Sequence, residues 1–435
     1  MIFTTLSSQK KSILACAVNA LKYMVLCVAI VAPAARAQSQ IALLFPLGLP
    51  LAQNSGTSFM MGGSSVGVSD DYNCMLGNPA NLGFIDKTVF SSLYMFDFNR
   101  IDQASSHTNF VQAFPQQISL GIPFGSFGTL GLSYNVQSNN AVKFRPDQQQ
   151  IGFADSSVTY QSGLAVTGGT TTWQAGWGRE LPRLMHLRIG VTYERIYYTV
   201  SSTVVRTITD PSKTVESRDS TVNELRANGL RAGLMLPLGK FKAGVSGEYF
   251  FPADLHHDNA IYSNSSDTVG PRGTVAVPVD QIVAIARVHM PPSLRFGLSY
   301  AISPEWLAAA DLSSTFWDKY YSNGFLVSAR TNALSVSAGA QFVPVSTLMA
   351  PRYWETIHYS AGFRYTQLPA NLSSEYAFSL GTGLPIARGR GLLTLGLEAG
   401  RRTVGSYSDI SENFVHFAVG INGSRKWNKS SFGLY

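Results

Sequence analysis

Residues 357–366 read IHYSAGFRYT, and their reading decides the fold. Side chains alternate faces along an extended chain. Ile357, Tyr359, Ala361, Phe363 and Tyr365 therefore share one face, and His358, Ser360, Gly362, Arg364 and Thr366 share the other. Working outward, Leu393–Arg402 and Val415–Asn422 repeat the alternation, with Glu398 and His416 on the polar side. Upstream, Leu294–Tyr300, Phe241–Tyr249 and His186–Glu194 do the same. A soluble sheet would turn its apolar face to a core and its polar face to water. A transmembrane barrel reverses this, with the apolar side chains toward lipid and the polar ones toward the lumen.

Two features favour the barrel over an exported soluble β-protein. The strands recur to about residue 422, and aromatic residues gather near their ends (Tyr193, Tyr197, Tyr198, Tyr249, Phe250, Phe316, Trp317, Tyr320 and Tyr365) as interfacial girdles do. The alternation predicts about fourteen antiparallel strands: 87–98, 107–122, 127–137, 170–179, 186–203, 222–236, 241–262, 281–301, 305–319, 332–342, 356–367, 375–384, 391–402 and 413–422. An even number is expected of such a barrel. Pro291-Pro292 falls inside one strand and requires a kink, a bulge or a lost ladder bond there. Were it a turn, the count would be odd.

Short connections (Pro123–Ser126, Glu180–Met185, Pro237–Lys240, Ile302–Glu305, Pro385–Arg390) alternate with long polar ones (Ser138–Gly169, Val205–Val222, Asn259–Val279, Ser322–Thr331). Val343–Glu355 is longer but belongs with the short set. Short periplasmic turns and long external loops are the outer-membrane arrangement.

Composition agrees. Charged residues make up 14% of the 435, against about 25% in soluble domains. The formal +7 falls to +3 once the four basic residues of the first 37 are set aside. No basic run suggests a nucleic-acid partner. Residues 1–37 read as a signal peptide: Lys10, Lys11 and Lys22, then the apolar run Tyr23–Val31, then Ala35-Arg36-Ala37 as the cleavage site. That run is short of the ~20 residues a helical span needs. Cys16 and Cys27 leave with the signal, so Cys74 alone remains, which excludes an intramolecular disulfide. Neither a nucleophile elbow nor a phosphate loop nor a paired-carboxylate motif is present; no enzyme, cofactor or metal site is expected. His256-His257-Asp258 falls at a strand end or loop and reads as surface rather than a metal site, and Asp70-Asp71 reads as a capping or hydrogen-bonding pair rather than a calcium site.

Residues 38–86 do not alternate. They hold the glycine- and serine-rich run Asn54–Val68, then Asp70-Asp71, then Asn78-Pro79-Ala80-Asn81-Leu82. Met60, Met61, Met75, Leu76, Leu82 and Phe84 favour a packed plug over a free linker. This stretch resembles the hatch of the FadL-type hydrophobic-compound transporters, with its Gly-rich lead, acidic doublet and Asn-Pro-Ala. Pro291–Trp317 and Leu395–Trp427 also look like FadL-type proteins of Bacteroidetes-type bacteria. The resemblance implies a fourteen-stranded barrel plugged by its N-terminus. It implies passive uptake of hydrophobic molecules such as long-chain fatty acids, with ligand bound where hatch and wall meet and a hatch shift opening the route. A PorV-like relative, acting in protein secretion or surface attachment, shares the barrel and the motif, so a scaffold role stays open. The domains read as signal 1–37, hatch 38–86, barrel 87–422 and polar tail 423–435. The tail departs from barrels that close on an aromatic last strand.

The site residues expected are Asn78, Pro79 and Ala80 as hatch motif and Met75, Leu76 and Leu82 as ligand contacts. Arg188, Glu194, Arg231, Lys242, Glu248, Arg295, Asp311, His358, Arg364, Glu398, Arg402 and His416 line the lumen, paired with one another or holding a carboxylate headgroup. The partners expected are outer-membrane lipid, a hydrophobic ligand and, during insertion, the barrel-assembly machinery.

Overall fold

A computed structural model describes residues 49–50 and 55–425, apart from residues 71, 104–105, 140–141, 145–148, 154–155, 210–212, 268–276, 320, 323–331, 345–351, 369–373, 387–389 and 404–409. The signal peptide and residues 426–435 of the tail lie outside the described residues. The wall is built of β1 (Thr88–Gln103), β2 (Ser106–Pro123), β3 (Thr129–Asn139), β4 (Ser156–Leu181), β5 (Leu187–Thr209) and β6 (Lys213–Leu238). Then come β7 (Phe241–Phe250, resuming at Ala253–Asp267), β8 (Val277–His289, resuming at Ser293–Ala301), β9 (Trp306–Thr315) and β10 (Ala333–Phe342). β11 (His358–Gln367), β12 (Ser374–Ile386), β13 (Gly391–Thr403) and β14 (Ile410–Arg425) complete it. β14 pairs with β1 from Arg425↔Thr88 to Ile410↔Gln103, which closes an antiparallel barrel of fourteen strands with no free edge at the closure.

The barrel is inside-out relative to a soluble sheet. On β5, Val191 and Tyr193 are 44% and 45% exposed, while Thr192 and Glu194 are 0% exposed. The apolar side chains face outward and the polar ones are sealed within, which selects the membrane reading over the soluble one. Among the described residues no helix is long and apolar enough to cross a membrane.

Pro291-Pro292 interrupts β8 without ending it. Below the break β8 pairs with Phe241–Glu248 of β7; above it, β8 pairs with Ala253–Ser263. β7 breaks at the same level, where the Phe251 amide bonds the Asn228 carbonyl. The two interruptions are matched, so the even count holds.

The long connections need correction. β4, β5 and β6 run for 26, 23 and 26 residues, where a membrane crossing takes about 9–11. Much of Ser138–Gly169, Val205–Val222 and Asn259–Val279 is ladder, paired as far as Thr209↔Thr214 and Asp267↔Lys213. Above the membrane both faces of a sheet meet water, so the alternation that reveals a spanning strand is absent. β9, β10 and β11 have only 10 residues each. The wall therefore stands tallest at β4–β8 and lowest at β9–β11. The last strand also runs past Asn422 to Arg425.

Candidate functional site

Residues 55–70 and 72–85 lie inside the barrel, and the wall makes room for them with glycine. Gly178, Gly190 and Gly233 face one another across β4, β5 and β6. Gly244 pairs Gly297, Gly339 pairs Gly362, and Gly381 pairs Gly396. A Cβ on Gly190 would sit 2.3 Å from the Pro79 carbonyl, and one on Gly362 would sit 2.1 Å from the Gly62 nitrogen. Side-chain carbon never approaches so closely, so this ring of glycines brings the inner chain into backbone contact with the wall.

The inner segment begins with α1 (Gly56–Met60), whose Ser55 caps the helix by accepting from the Ser58 amide. Gly62 donates to Ser379 of β12. Ser65 and Val66 both donate their amides to one oxygen of Asp311 on β9, at 2.6 and 2.8 Å. Asp70 accepts from the Tyr72 amide and from Asn73, forming a local turn. Lys242 donates to Ser69, and His358 meets the ring of Tyr72.

Asn78-Pro79-Ala80 begins a 3-10 helix, Pro79–Phe84. Asn78 is fully buried. Its Oδ1 accepts from the Ala80 amide, and its Nδ2 donates to the carbonyls of Val66 and of Leu234 on β6. One side chain thus caps the turn and ties it to both the inner chain and the wall. The asparagine amide offers an acceptor oxygen and two N–H donors on one short side chain. Pro79 lies against Gly190 and Leu82 against Gly178. Arg188 pairs Glu180 at 2.8 Å and covers the Phe84 ring.

Around the inner segment runs a belt of buried charge in two clusters. In the first, Arg231 bridges Glu194 at 2.8 Å and Glu248 at 2.9 Å, and donates to the Gly77 carbonyl. Gln174 and then Asn135 extend the chain of hydrogen bonds from Glu194. In the second, Arg364 meets Glu375 and Glu398, each at 2.9 Å. Arg402 meets Glu375 at 2.6 Å and Glu412 at 3.1 Å. His416 completes it, 3.0 Å from Glu398 and 3.7 Å from Asp97. The sequence-predicted lumen residues Glu194, Arg231, Glu248, Arg364, Glu398, Arg402 and His416 come together in these clusters. Asp97, Glu375 and Glu412 were missed. Glu375 stands at the first position of its predicted strand, and its inward parity was readable from Ala377 and Ser379.

Toward the outer end the lumen turns apolar. Ile196, Tyr198, Leu225, Ala227, Phe250, Val288, Met290, Trp317 and Leu368 form one buried cluster. A cavity of about 220 Å³ joins this layer to the belt, lined by Trp317 and Leu368 above and by Arg295, Asp311, Arg364 and Glu375 below. Sequence reasoning placed no apolar surface here: Ile196, Leu225, Ala227 and Val288 fell inside predicted strands with no inward apolar face assigned, and Tyr198, Phe250 and Trp317 were read as girdle.

Among the described residues the wall has a weak seam between β2 and β3. β2 pairs with β3 only from Pro123↔Thr129 to Gln117↔Asn135. Beyond that, β2 continues with β1 to Ser106, while β3 leans to β4 through an irregularity between Val136 and Ser138. Among the described residues the two strands part above Gln117. A small cavity lies at the foot of this seam, lined by Met75, Leu76, Gln117, Asn135 and Gln174. Leu82 lies against Gly131 and Gly178 of the neighbouring wall. His257, on β7, bonds Asn223; among the described residues no group of His, Cys, Asp and Glu could hold a metal ion.

Several solved structures share this barrel fold. The toluene transporter TbuX of Ralstonia pickettii superposes with a TM-score of 0.56 at 13% identity, covering 86% of this chain and 99% of that one. A Pseudomonas aeruginosa FadL homologue gives 0.56 at 13%, covering 86% and 98%. The Pseudomonas putida toluene transporter TodX gives 0.52 at 16%, covering 87% and 99%. The BamG family model matches residues 20–432, and the chain belongs to that family. A search of curated proteins returns no match.

Proposed function

We propose that this barrel takes up hydrophobic small molecules passively and releases them sideways into the bilayer. The observation that carries the reading is the seam between β2 and β3, which opens above Gln117↔Asn135; the next strand, β4, contributes Val166 to the apolar layer of the outer lumen. Axial passage is poorly served. The buried ion pairs and the glycine-seated hatch fill the lower lumen, and an apolar solute would have to part buried charges from one another. A ligand entering from outside meets the apolar layer first. Met75 and Leu76 of the hatch line the foot of the seam, and Leu82 packs behind them on Gly131 and Gly178 of the wall. Arg295 borders the cavity beneath the apolar layer and suits the polar end of an amphipathic ligand such as a long-chain fatty acid. Toluene and monoaromatic hydrocarbons, named for the neighbouring channels, are the smaller alternatives. The test is uptake of labelled oleate and of toluene by cells with and without the protein. Faster uptake of either supports the reading, and identical rates for both overturn it.

A second reading is favoured by the tall wall and the family's name. β4–β6 rise far beyond the membrane, and such a blade serves a scaffold at the cell surface. The name BamG points to the barrel-assembly machinery as the partner. Under that reading, loss of the protein leaves solute uptake unchanged. It lowers the amounts of other outer-membrane barrels, and the protein purifies in fixed ratio with assembly subunits.

A further inference from the structure

The outer face of the wall is not uniformly bulky. On β10 and β11, Ala340 and Ala361 sit directly opposite each other. The next residues in that row, across β12 and β13, are Leu380 and Leu397. One row nearer the periplasm stand Trp306, Phe342 and Tyr359, with the Trp306 and Phe342 rings 4.8 Å apart. The alanines leave a groove of about 490 Å³ above this aromatic shelf. Its side-chain lining is apolar apart from Thr382 and Ser360.

This groove opens to the bilayer, where water is absent and hydrocarbon is the solvent. An apolar recess there fills with an acyl chain. The connection between the same two strands supplies what a headgroup needs. Tyr353–Thr356 forms a short 3-10 turn on the periplasmic side, with Tyr353 and Trp354 both exposed. The Arg352 guanidinium stands 5.5 Å over the Trp354 ring. Aromatic rings and a cation at this depth are the usual furniture of the headgroup level, and guanidinium is the side chain best matched to phosphate.

We propose that this face holds one glycerophospholipid of the periplasmic leaflet, an acyl chain in the groove and the phosphate on Arg352. The site is separate from the lumen and independent of any uptake role.

The test uses the full chain, extracted in mild detergent and read by native mass spectrometry and by lipid phosphorus per barrel. The wild type is expected to retain about one phospholipid after detergent exchange. Ala340→Leu with Ala361→Leu fills the groove and brings retained phospholipid down to the level of free detergent. Arg352→Gln lowers it and leaves the groove intact. Ala243→Leu, an outward position on β7, is the control and leaves retention unchanged. Heat-modifiable gel mobility reports that each variant is folded. Equal retention in wild type and the groove-filled variant overturns the proposal. So does a photo-crosslinker at position 340 that captures another barrel's wall and no lipid.

Discussion

Arg231 on β6 lies 2.8 Å from Glu194 on β5, and neither side chain is reached by solvent. The same guanidinium meets Glu248 at 2.9 Å. Two carboxylates of the sealed lumen therefore share one cation. Removing one partner of a buried pair typically costs about 3–5 kcal/mol, because the remaining charge stays desolvated. Arg231→Met is expected to lose at least that much, read as a lower urea midpoint for the loss of heat-modifiable gel mobility. Adding Glu194→Gln recovers part of the loss, since one of the two orphaned charges disappears. A midpoint unchanged in the single variant would show that water reaches this cluster.

How much of this was legible varied with what each residue faces. The spanning strands were read closely: the predicted 356–367 and 391–402 are observed as His358–Gln367 and Gly391–Thr403. Their outer faces meet lipid, which enforces alternation. Pro291-Pro292 was legible as an interruption, and the partner strand's own break at Phe251 explains why it costs no strand. The outer halves of β4–β6 were not legible. Thr207, Ile208, Thr209 and Thr214, Val215, Glu216 lie in water on both sides, so nothing constrains which face is apolar. Asn78 was legible as part of a motif, but not its task, because its bonds to Val66 and Leu234 join positions 12 and 156 residues away. The belt was half legible. Parity along a strand says that Arg364 points inward, but it does not say that Glu375 and Glu398 meet it.

Asp311 anchors the inner segment by a charge-assisted pair of bonds to the Ser65 and Val66 amides. Hydrogen bonds to charged groups contribute about 1.5–3 kcal/mol. Asp311→Asn keeps the size and one acceptor but loses the charge. Amide exchange at Ser65 and Val66 is expected to rise at least tenfold, a change of about 1.4 kcal/mol, while the strand amides of β9 keep their protection. Unchanged exchange at both amides would mean that the anchor lies elsewhere.

Cys74 provides a chemical probe of the packed inner segment. Its side chain has no exposure and packs with Leu76, Leu82, Ile85 and Val89. Burial pushes the thiol up to about 12, and the thiolate is the reactive form. A maleimide is therefore expected to leave the folded barrel unlabelled at pH 7 to 8 and to label it fully after heating in detergent. Labelling of the folded barrel within minutes would show that the inner segment leaves its seat readily.

The glycine ring makes a prediction that separates seat from wall. Gly190→Ala would set a methyl 2.3 Å from the Pro79 carbonyl, with backbone on both sides and no flexible side chain to give way. Overpacking of this kind typically costs about 1–3 kcal/mol, and here the inner segment must move off the wall to relieve it. Gly247→Ala, also on a wall strand, meets nothing closer than 3.7 Å and serves as the matched control. Both variants keep the ladder, so both are expected to insert and to show heat-modifiable mobility. They differ in the inner segment: Gly190→Ala is expected to expose Cys74 to maleimide and to admit protease between residues 55 and 86, and Gly247→Ala to do neither. The pair also bears on uptake. A lateral route through the β2–β3 seam needs no displacement of Pro79, so Gly190→Ala should leave hydrophobic uptake standing or raise it. A route that depends on a seated hatch would lose it.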